Sequence, residues 1–259
     1  MKISFQKFQG TGNDFILIDN RDHKFPADNT TLITRMCDRK FGIGADGLIL
    51  IEHEDTMDFK MIFFNPDGSK SLCGNGSRCA VAFAHQLNLA DNKTKFITTD
   101  GPHDAHFDEK GIIHFSLHDV SEVKEHGDDL FIDTGSPHYI RFVKDLNDLD
   151  VIHEGRSIRY DKRFAPGGTN VNFVELRADG IAVRTYERGV EDETLSCGTG
   201  VTACALAATS KGYTSPVNIS TFGGNLQVSF EQTSPHEFRN IYLAGPVKKV
   251  FEGIYETVD

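Results

Sequence analysis

Apolar positions in this chain come mostly in short runs bounded by turn residues, and helical periodicity is confined to two places. Residues 16–18, 59–64, 95–99, 103–107, 112–117, 174–176, 181–186, 217–221, 226–230, 241–244 and 247–254 read as strands, punctuated by Gly, Pro, Asn and Asp. Asn65-Pro66-Asp67-Gly68 is a turn, with Pro pre-set at its second position. Helices are predicted at about 76–89 and about 201–211, the second closed by Gly212 as a C-terminal cap. Their centres, Ala80-Val81-Ala82-Phe83-Ala84 and Ala203-Cys204-Ala205-Leu206-Ala207-Ala208, are apolar on nearly every face, so both helices must be buried.

The order strand, cysteine loop, helix, strand, hairpin occurs twice, which indicates two homologous domains. The halves also begin alike: Thr11-Gly12-Asn13 and Gly168-Thr169-Asn170 each place an Asn before an apolar strand. The charged, weakly patterned stretch 119–129 reads as the crossover. The expected domains are 1–119, joined by a returning C-terminal strand at 247–259, and 120–246. The fold class is α+β, with strands wrapped round one central helix in each domain.

The bulk numbers agree with this. A chain of 259 residues suits two domains of about 120 each. A net charge of −11 argues against nucleic acid or an acidic membrane surface as partner. No apolar run approaches the roughly 20 residues of a membrane span, and Met1-Lys2-Ile3-Ser4-Phe5 lacks a secretory signal's apolar stretch. Five cysteines without a Cys-x-x-Cys point to free thiols in a reducing, cytoplasmic compartment. Cys37, Cys79 and Cys204 read as small buried hydrophobes.

The other two cysteines carry the chemistry. Cys73-Gly74-Asn75-Gly76 and Cys197-Gly198-Thr199-Gly200 each stand directly before one of the buried helices. A thiol at a helix N-terminus has its thiolate favoured by free backbone N–H groups and the dipole. Inverting a carbon stereocentre without a cofactor needs a base on one face and an acid on the other, and the two exchange roles after each turnover. Two thiols, with a reference pKa of about 8.5, meet that need. The glycines let backbone donors approach an anion such as a carboxylate. In Tyr186-Glu187-Arg188-Gly189, Arg188 can hold a carboxylate and Glu187 an ammonium group, though for the pair in isolation a salt bridge at a strand end is the better explanation. Asn13, Asn65, Asn75 and Asn170 lie at loop mouths, and His138 follows Gly135-Ser136-Pro137. His103-Asp104-Ala105-His106 lacks further ligands, so no metal site is expected.

These motifs, with Asp38-Arg39-Lys40-Phe41-Gly42-Ile43-Gly44-Ala45-Asp46-Gly47, Phe64-Asn65-Pro66-Asp67-Gly68-Ser69 and Ser77-Arg78-Cys79, resemble the diaminopimelate epimerase family over essentially the full length. The resemblance implies a cofactor-independent isomerase that interconverts LL- and meso-diaminopimelate for lysine and peptidoglycan synthesis. It implies two pseudo-symmetric domains, each a rolled, mostly antiparallel sheet around a central helix, and usually a homodimer. By that analogy Cys73 and Cys197 are the acid/base pair, and His138 and Glu187 tune their proton affinities. Asn13, Asn65, Gly74, Asn75, Asn170, Glu187, Arg188, Gly198 and Thr199 would contact substrate. Departures are Gly47, where many members carry Gln, Ser136, where many carry Asn, and Phe251, where a dimer-contact Tyr is frequent. The competing readings are a two-thiol racemase for proline or hydroxyproline, a non-catalytic amino-acid-binding module, and a dithiol redox protein.

Overall fold

The computed structural model describes residues 1–257. The chain runs β1 (Lys2–Gly10), β2 (Asn13–Asp19), α1 (Thr30–Cys37), β3 (Gly47–Glu52), β4 (Phe59–Phe64), α2 (Gly74–Gln86), β5 (Lys93–Thr98), β6 (Gly101–Phe107), β7 (Ile113–Ser116), β8 (Val123–His126), β9 (Asp129–Asp133), β10 (Pro137–Val143), α3 (Val151–Arg159), β11 (Asn170–Arg177), β12 (Gly180–Glu187), β13 (Asp192–Thr194), α4 (Gly198–Ala208), β14 (Val217–Thr221), β15 (Gly224–Ser234), β16 (Glu237–Gly245) and β17 (Lys248–Glu256). It divides into two units. Unit 1 is Met1–Phe115 with the chain from Gly245 onward, and unit 2 is Ser116–Ala244.

Each unit builds its sheet by the same steps. In unit 1, β1 runs antiparallel to β2, β2 parallel to β3, β3 antiparallel to β4, β4 parallel to β5, and β5, β6 and β7 form an antiparallel meander. In unit 2 the series β9, β10, β11, β12, β14, β15, β16 repeats those senses one by one. The parallel steps fall where a helix intervenes, because a parallel pair needs a crossover. One further strand lies on the first strand of each series, β17 on β1 and β8 on β9.

Two helices per unit serve opposite faces of the sheet. The small side chains of α2 and α4 allow strands to close around them, and both helices are buried along most of their length. Helix α2 packs against β1 to β4, and α4 against β9 to β12, β14 and β15. Beside α2 the rings of Phe59 and Phe96 stack at 4.8 Å. On the other face α1 sets Ile33, Met36 and Cys37 against Ile16, Ile18, Leu48, Leu50, Ile62 and Phe64. Covered on both sides, β3 is buried at every position and reads as a continuous apolar run. Helix α3 does the same in unit 2, setting Val151 and Ile158 against Tyr139, Val171, Phe173 and Tyr186.

The structure corrects several sequence expectations. The helices begin at Gly74 and Gly198, earlier than about 76 and 201, so each cysteine is itself the N-cap. The segment 119–129, read as a bare crossover, contains β8 and the turn into β9. Its charges suit an outermost strand, which must discourage further pairing. The returning strand is β17, paired with β1, and positions 258–259 of the expected 247–259 lie outside the described residues. The pairing of Asn13 with Asn170 as equivalent positions fails. Phe15 lies opposite Gly47 in the β2–β3 register and His138 opposite Asn170 in β10–β11. Asn170 is therefore the counterpart of Gly47, and Asn13 that of Ser136.

Gly155 is where α3 comes closest to β12: a Cβ there would sit 2.4 Å from the Cβ of Tyr186. Gly155→Ala should therefore destabilise the protein by about 1–3 kcal/mol through overpacking, read as a lower urea midpoint at unchanged slope. An unchanged midpoint would mean that α3 shifts freely.

Candidate active site

The unit 1 half-site grows from the N-terminus of α2. Cys73, in extended conformation, caps the helix and accepts a hydrogen bond from the Gly76 N–H at 3.4 Å. A sulfur that already accepts a backbone N–H has its anionic form favoured. Gly76 is closely surrounded: a Cβ on it would meet the Ile49 Cδ1 at 3.2 Å and touch Cys73 and Phe15 at 3.4 Å. The Cys73 Sγ lies 3.6 Å from Asn13 Oδ1, which also accepts from Asn75 Nδ2 at 3.3 Å. The Asn13 amide cannot turn round, because its Nδ2 donates to Asp46 at 2.6 Å. Asp46 is clamped in turn by Arg39, which also holds Asp14. Although burial pushes the Asp14 carboxyl upward, hydrogen bonds from Arg39 and Lys7 hold it at about 2. A fixed ion-pair cluster thus decides which end of an amide faces the thiol.

Two expected unit 1 residues behave differently. Asn65 spends its amide on its own turn, donating to Ser69 and Ser71. Gly47 has its side-chain space filled by Phe63, whose Cε2 lies 2.2 Å from where a Cβ would stand. Any larger residue there requires that ring to move.

The unit 2 half-site grows from the N-terminus of α4, where Cys197 is the N-cap residue. Its Sγ lies 3.6 Å from Thr199 Oγ1, and the same hydroxyl is 2.9 Å from His138 Nε2. On the far side of the ring, Asn172 Nδ2 lies 3.1 Å from His138 Nδ1. Asn172 is oriented by Thr185, whose hydroxyl donates to its Oδ1, and by the Tyr139 carbonyl, which accepts from its Nδ2. An amide N–H facing Nδ1 makes that nitrogen the acceptor, so the proton of a neutral ring resides on Nε2 and is donated to Thr199. His138 therefore reaches Cys197 through the Thr199 hydroxyl. Burial, and then the Arg188 charge, pull the His138 imidazole down to about 3. It is neutral throughout the physiological range. Gly200 is small because Asn172 Oδ1 would lie 2.6 Å from a Cβ.

A second cluster in unit 2 ties Asn170 to Arg188. Asn170 accepts the Arg188 backbone N–H at 2.8 Å and donates to Ser136 Oγ and the Pro137 carbonyl. The exposed Arg188 side chain reaches Ser136 Oγ at 3.4 Å. Glu187 ends β12 and accepts from Thr194 at 2.8 Å. Among site residues to which the sequence reading gave no role, Asn172 had a signal, a lone amide between Val171 and Phe173 in an apolar strand. Asp46 and Thr185 had none that local pattern could supply.

The depressed His138 value has a thermodynamic consequence. Folding holds the ring neutral while the unfolded chain protonates it near 6.5. Its contribution to stability is thus present above about 6.5 and is lost as pH falls toward 3. His138→Gln should lose less stability than the parent between pH 7 and pH 5 in urea titrations. Equal losses would show that the ring does not remain neutral.

The half-sites can be set beside known proteins. The diaminopimelate epimerase family model matches residues 5–113 and 130–250. The diaminopimelate epimerase of Flavobacterium psychrophilum is 52% identical over 250 residues, 95% of this chain and 97% of that protein. That of Aquifex aeolicus is 43% identical, covering 97% of each chain. Among solved structures, a Bacillus anthracis PhzF-family phenazine biosynthesis protein superposes with a TM-score of 0.76 at 15% identity, covering 99% of this chain and 100% of its own. A hydroxyproline epimerase from Agrobacterium vitis gives 0.69 at 13% identity, covering 98% and 92%. At those identities the two structures share the fold, the α+β arrangement of two pseudo-symmetric domains. The sequence matches carry more, and by them the chain belongs to the diaminopimelate epimerase family.

Proposed function

We propose that this protein interconverts LL- and meso-diaminopimelate by proton transfer at the α-carbon, with Cys73 and Cys197 as the acid/base pair and no cofactor. The observation that carries the reading is that each Cys-Gly-x-Gly caps a buried helix at the same step of a repeated sheet. Chemically equivalent groups in equivalent positions are what a reaction that swaps acid and base requires. One thiolate removes the α-proton from one face of the carbon. The other thiol returns a proton to the opposite face, and the pair is left with exchanged roles.

The remaining residues take supporting parts in this reading. The N–H groups at the starts of α2 and α4, presented by Gly74, Asn75, Gly198 and Thr199, receive the carboxylate at the reacting centre. His138 holds the Thr199 hydroxyl toward Cys197, and Glu187 acts from the end of β12. The distal amino-carboxylate is met by Asn170 with Glu187 and Arg188, whose guanidinium suits a carboxylate, and by the Asn65 Oδ1, its Nδ2 being held by Ser69 and Ser71; Asn13, whose Oδ1 lies beside Cys73, contacts substrate near the reacting centre. That demand for polar partners at two ends favours diaminopimelate over proline or hydroxyproline. Where Ser136 replaces an amide, Asn170 and Arg188 still converge on its hydroxyl. A reducing cytoplasm is the compartment that suits such a thiol pair. Among the described residues no helix is long and apolar enough to cross a membrane.

We place a homodimer contact on β17. Val250, Phe251 and Ile254 are exposed there, and Phe251 meets Phe5 edge-on at 5.9 Å.

Two experiments test these readings. Cys73→Ala and Cys197→Ala should each lower epimerisation by about 10²–10⁴-fold, while the parent incorporates solvent deuterium at the α-carbon of both isomers during turnover. A single-thiol variant that still inverts the centre, or a parent that exchanges no α-hydrogen, contradicts the mechanism. Phe251→Asp should convert the dimer to a monomer in light scattering. A parent already monomeric at micromolar concentration removes the dimer proposal.

A further inference from the structure

Arg78 is the largest fully buried side chain in the protein, and the mechanism above makes no use of it. It stands on α2 five residues after Cys73, and helical side chains lean toward the N-terminus. Its guanidinium accordingly lies over the first turn. Nη1 donates to the Gly74 carbonyl at 3.3 Å, and Nη2 to Asn75 Oδ1 at 3.0 Å and Thr11 Oγ1 at 3.4 Å. Nε has no acceptor. Among the described residues no carboxylate forms an ion pair with it.

This placement is unfavourable twice over. A buried cation needs a counter-charge, and a cation at a helix N-terminus opposes the dipole. Burial draws the guanidinium down to about 10, which leaves it charged at neutral pH. The neighbouring Cys79 is fully buried and its thiol is pushed far up by burial, so it supplies no anion. The thiol at the head of the same helix is Cys73, and a thiolate there would relieve both costs.

Unit 2 shows that the local packing task needs no charge. The position of α4 that corresponds to Arg78 is Thr202, whose hydroxyl donates to the Gly198 carbonyl at 2.9 Å. Arg78 makes the same bond to Gly74. What differs between the helices is the positive charge.

We propose that Arg78 is a positioning residue whose full buried charge outweighs the Asn13 oxygen placed to accept from the thiol, so that Cys73 is the resting thiolate and Cys197 the resting thiol, and the isomer presenting its α-hydrogen to Cys73 is the one deprotonated first by the free enzyme. Through Asn75 the same guanidinium fixes the amide that bonds Asn13. The inference rests on the two-thiol reading, and its test is independent of turnover. The ionisable groups around Cys73 within its unit are Arg78 and Cys79 on α2, with Asp46 acting behind the neutral Asn13. Near Cys197 stand Cys204 on α4 and, behind Thr199, the neutral His138 on β10, on which the Arg188 charge acts.

The experiment follows iodoacetamide alkylation of each cysteine against pH, resolved by peptide mass, in Cys197→Ala and Cys73→Ala proteins. Cys73 should reach half-maximal reactivity at a lower pH than Cys197. Adding Arg78→Met to Cys197→Ala should raise the Cys73 midpoint by about one unit and slow alkylation at pH 7 about tenfold, and Arg78→Lys should restore most of it. A merely structural Arg78 would change the melting temperature in these variants without moving the midpoint. An unmoved Cys73 midpoint in folded Arg78→Met overturns the proposal, as does a Cys197 midpoint below that of Cys73, which needs no Arg78 variant. Failure of the epimerase assay alone would leave the two midpoints, and so this inference, standing.

Discussion

A buried helix must satisfy its first N–H groups from within the protein or offer them to a ligand. Much of this structure follows from placing that requirement at the heads of α2 and α4. Each helix is lined with Gly, Ala and Cys so that strands can close around it, and each begins at a cysteine in extended conformation. The cap position thus becomes a reactive group. Residues around it are chosen less for packing than for orienting dipoles toward one sulfur atom.

The two half-sites reach that end by different chemistry. In unit 1 the orientation comes from charge: Arg39 fixes Asp46, Asp46 fixes Asn13, and Asn13 faces Cys73. In unit 2 it comes from neutral groups: Thr185 fixes Asn172, Asn172 fixes the His138 tautomer, and His138 holds Thr199 beside Cys197. The backbone has kept its repeat while the side-chain networks have diverged. A reaction with unlike ground states on its two sides gains from such divergence, since the two thiols need not have equal proton affinity.

How much of this could be read from the sequence depended on whether the signal was local. The buried helices were legible because no exposed helix tolerates Ala80 to Ala84 or Ala203 to Ala208 with so few polar positions. Most strands were legible from short apolar runs, and the cysteines from their repeated context. Helices α1 and α3 were not, being eight and nine residues long and broken by Thr or charged positions that tertiary packing overrides. The equivalence of Asn13 and Asn170 looked sound as letters and failed in space, because register depends on which strands pair. Arg78 stood inside a quoted motif, yet nothing in a run of letters reveals that a guanidinium lacks a carboxylate. The His138–Thr199 link joins positions 61 apart, and Asn172–His138 positions 34 apart.

The pairing of β1 with β17 has a consequence for synthesis. Strand β1 leaves the ribosome well before β17 and waits for one of its two neighbours until β17 has been translated. Unit 2 is encoded wholly inside that interval and can reach its native contacts while unit 1 still has an open edge. For that period the nascent chain carries an unpaired β1 border, the kind of surface that chaperones shield, and arrival of β17 closes it.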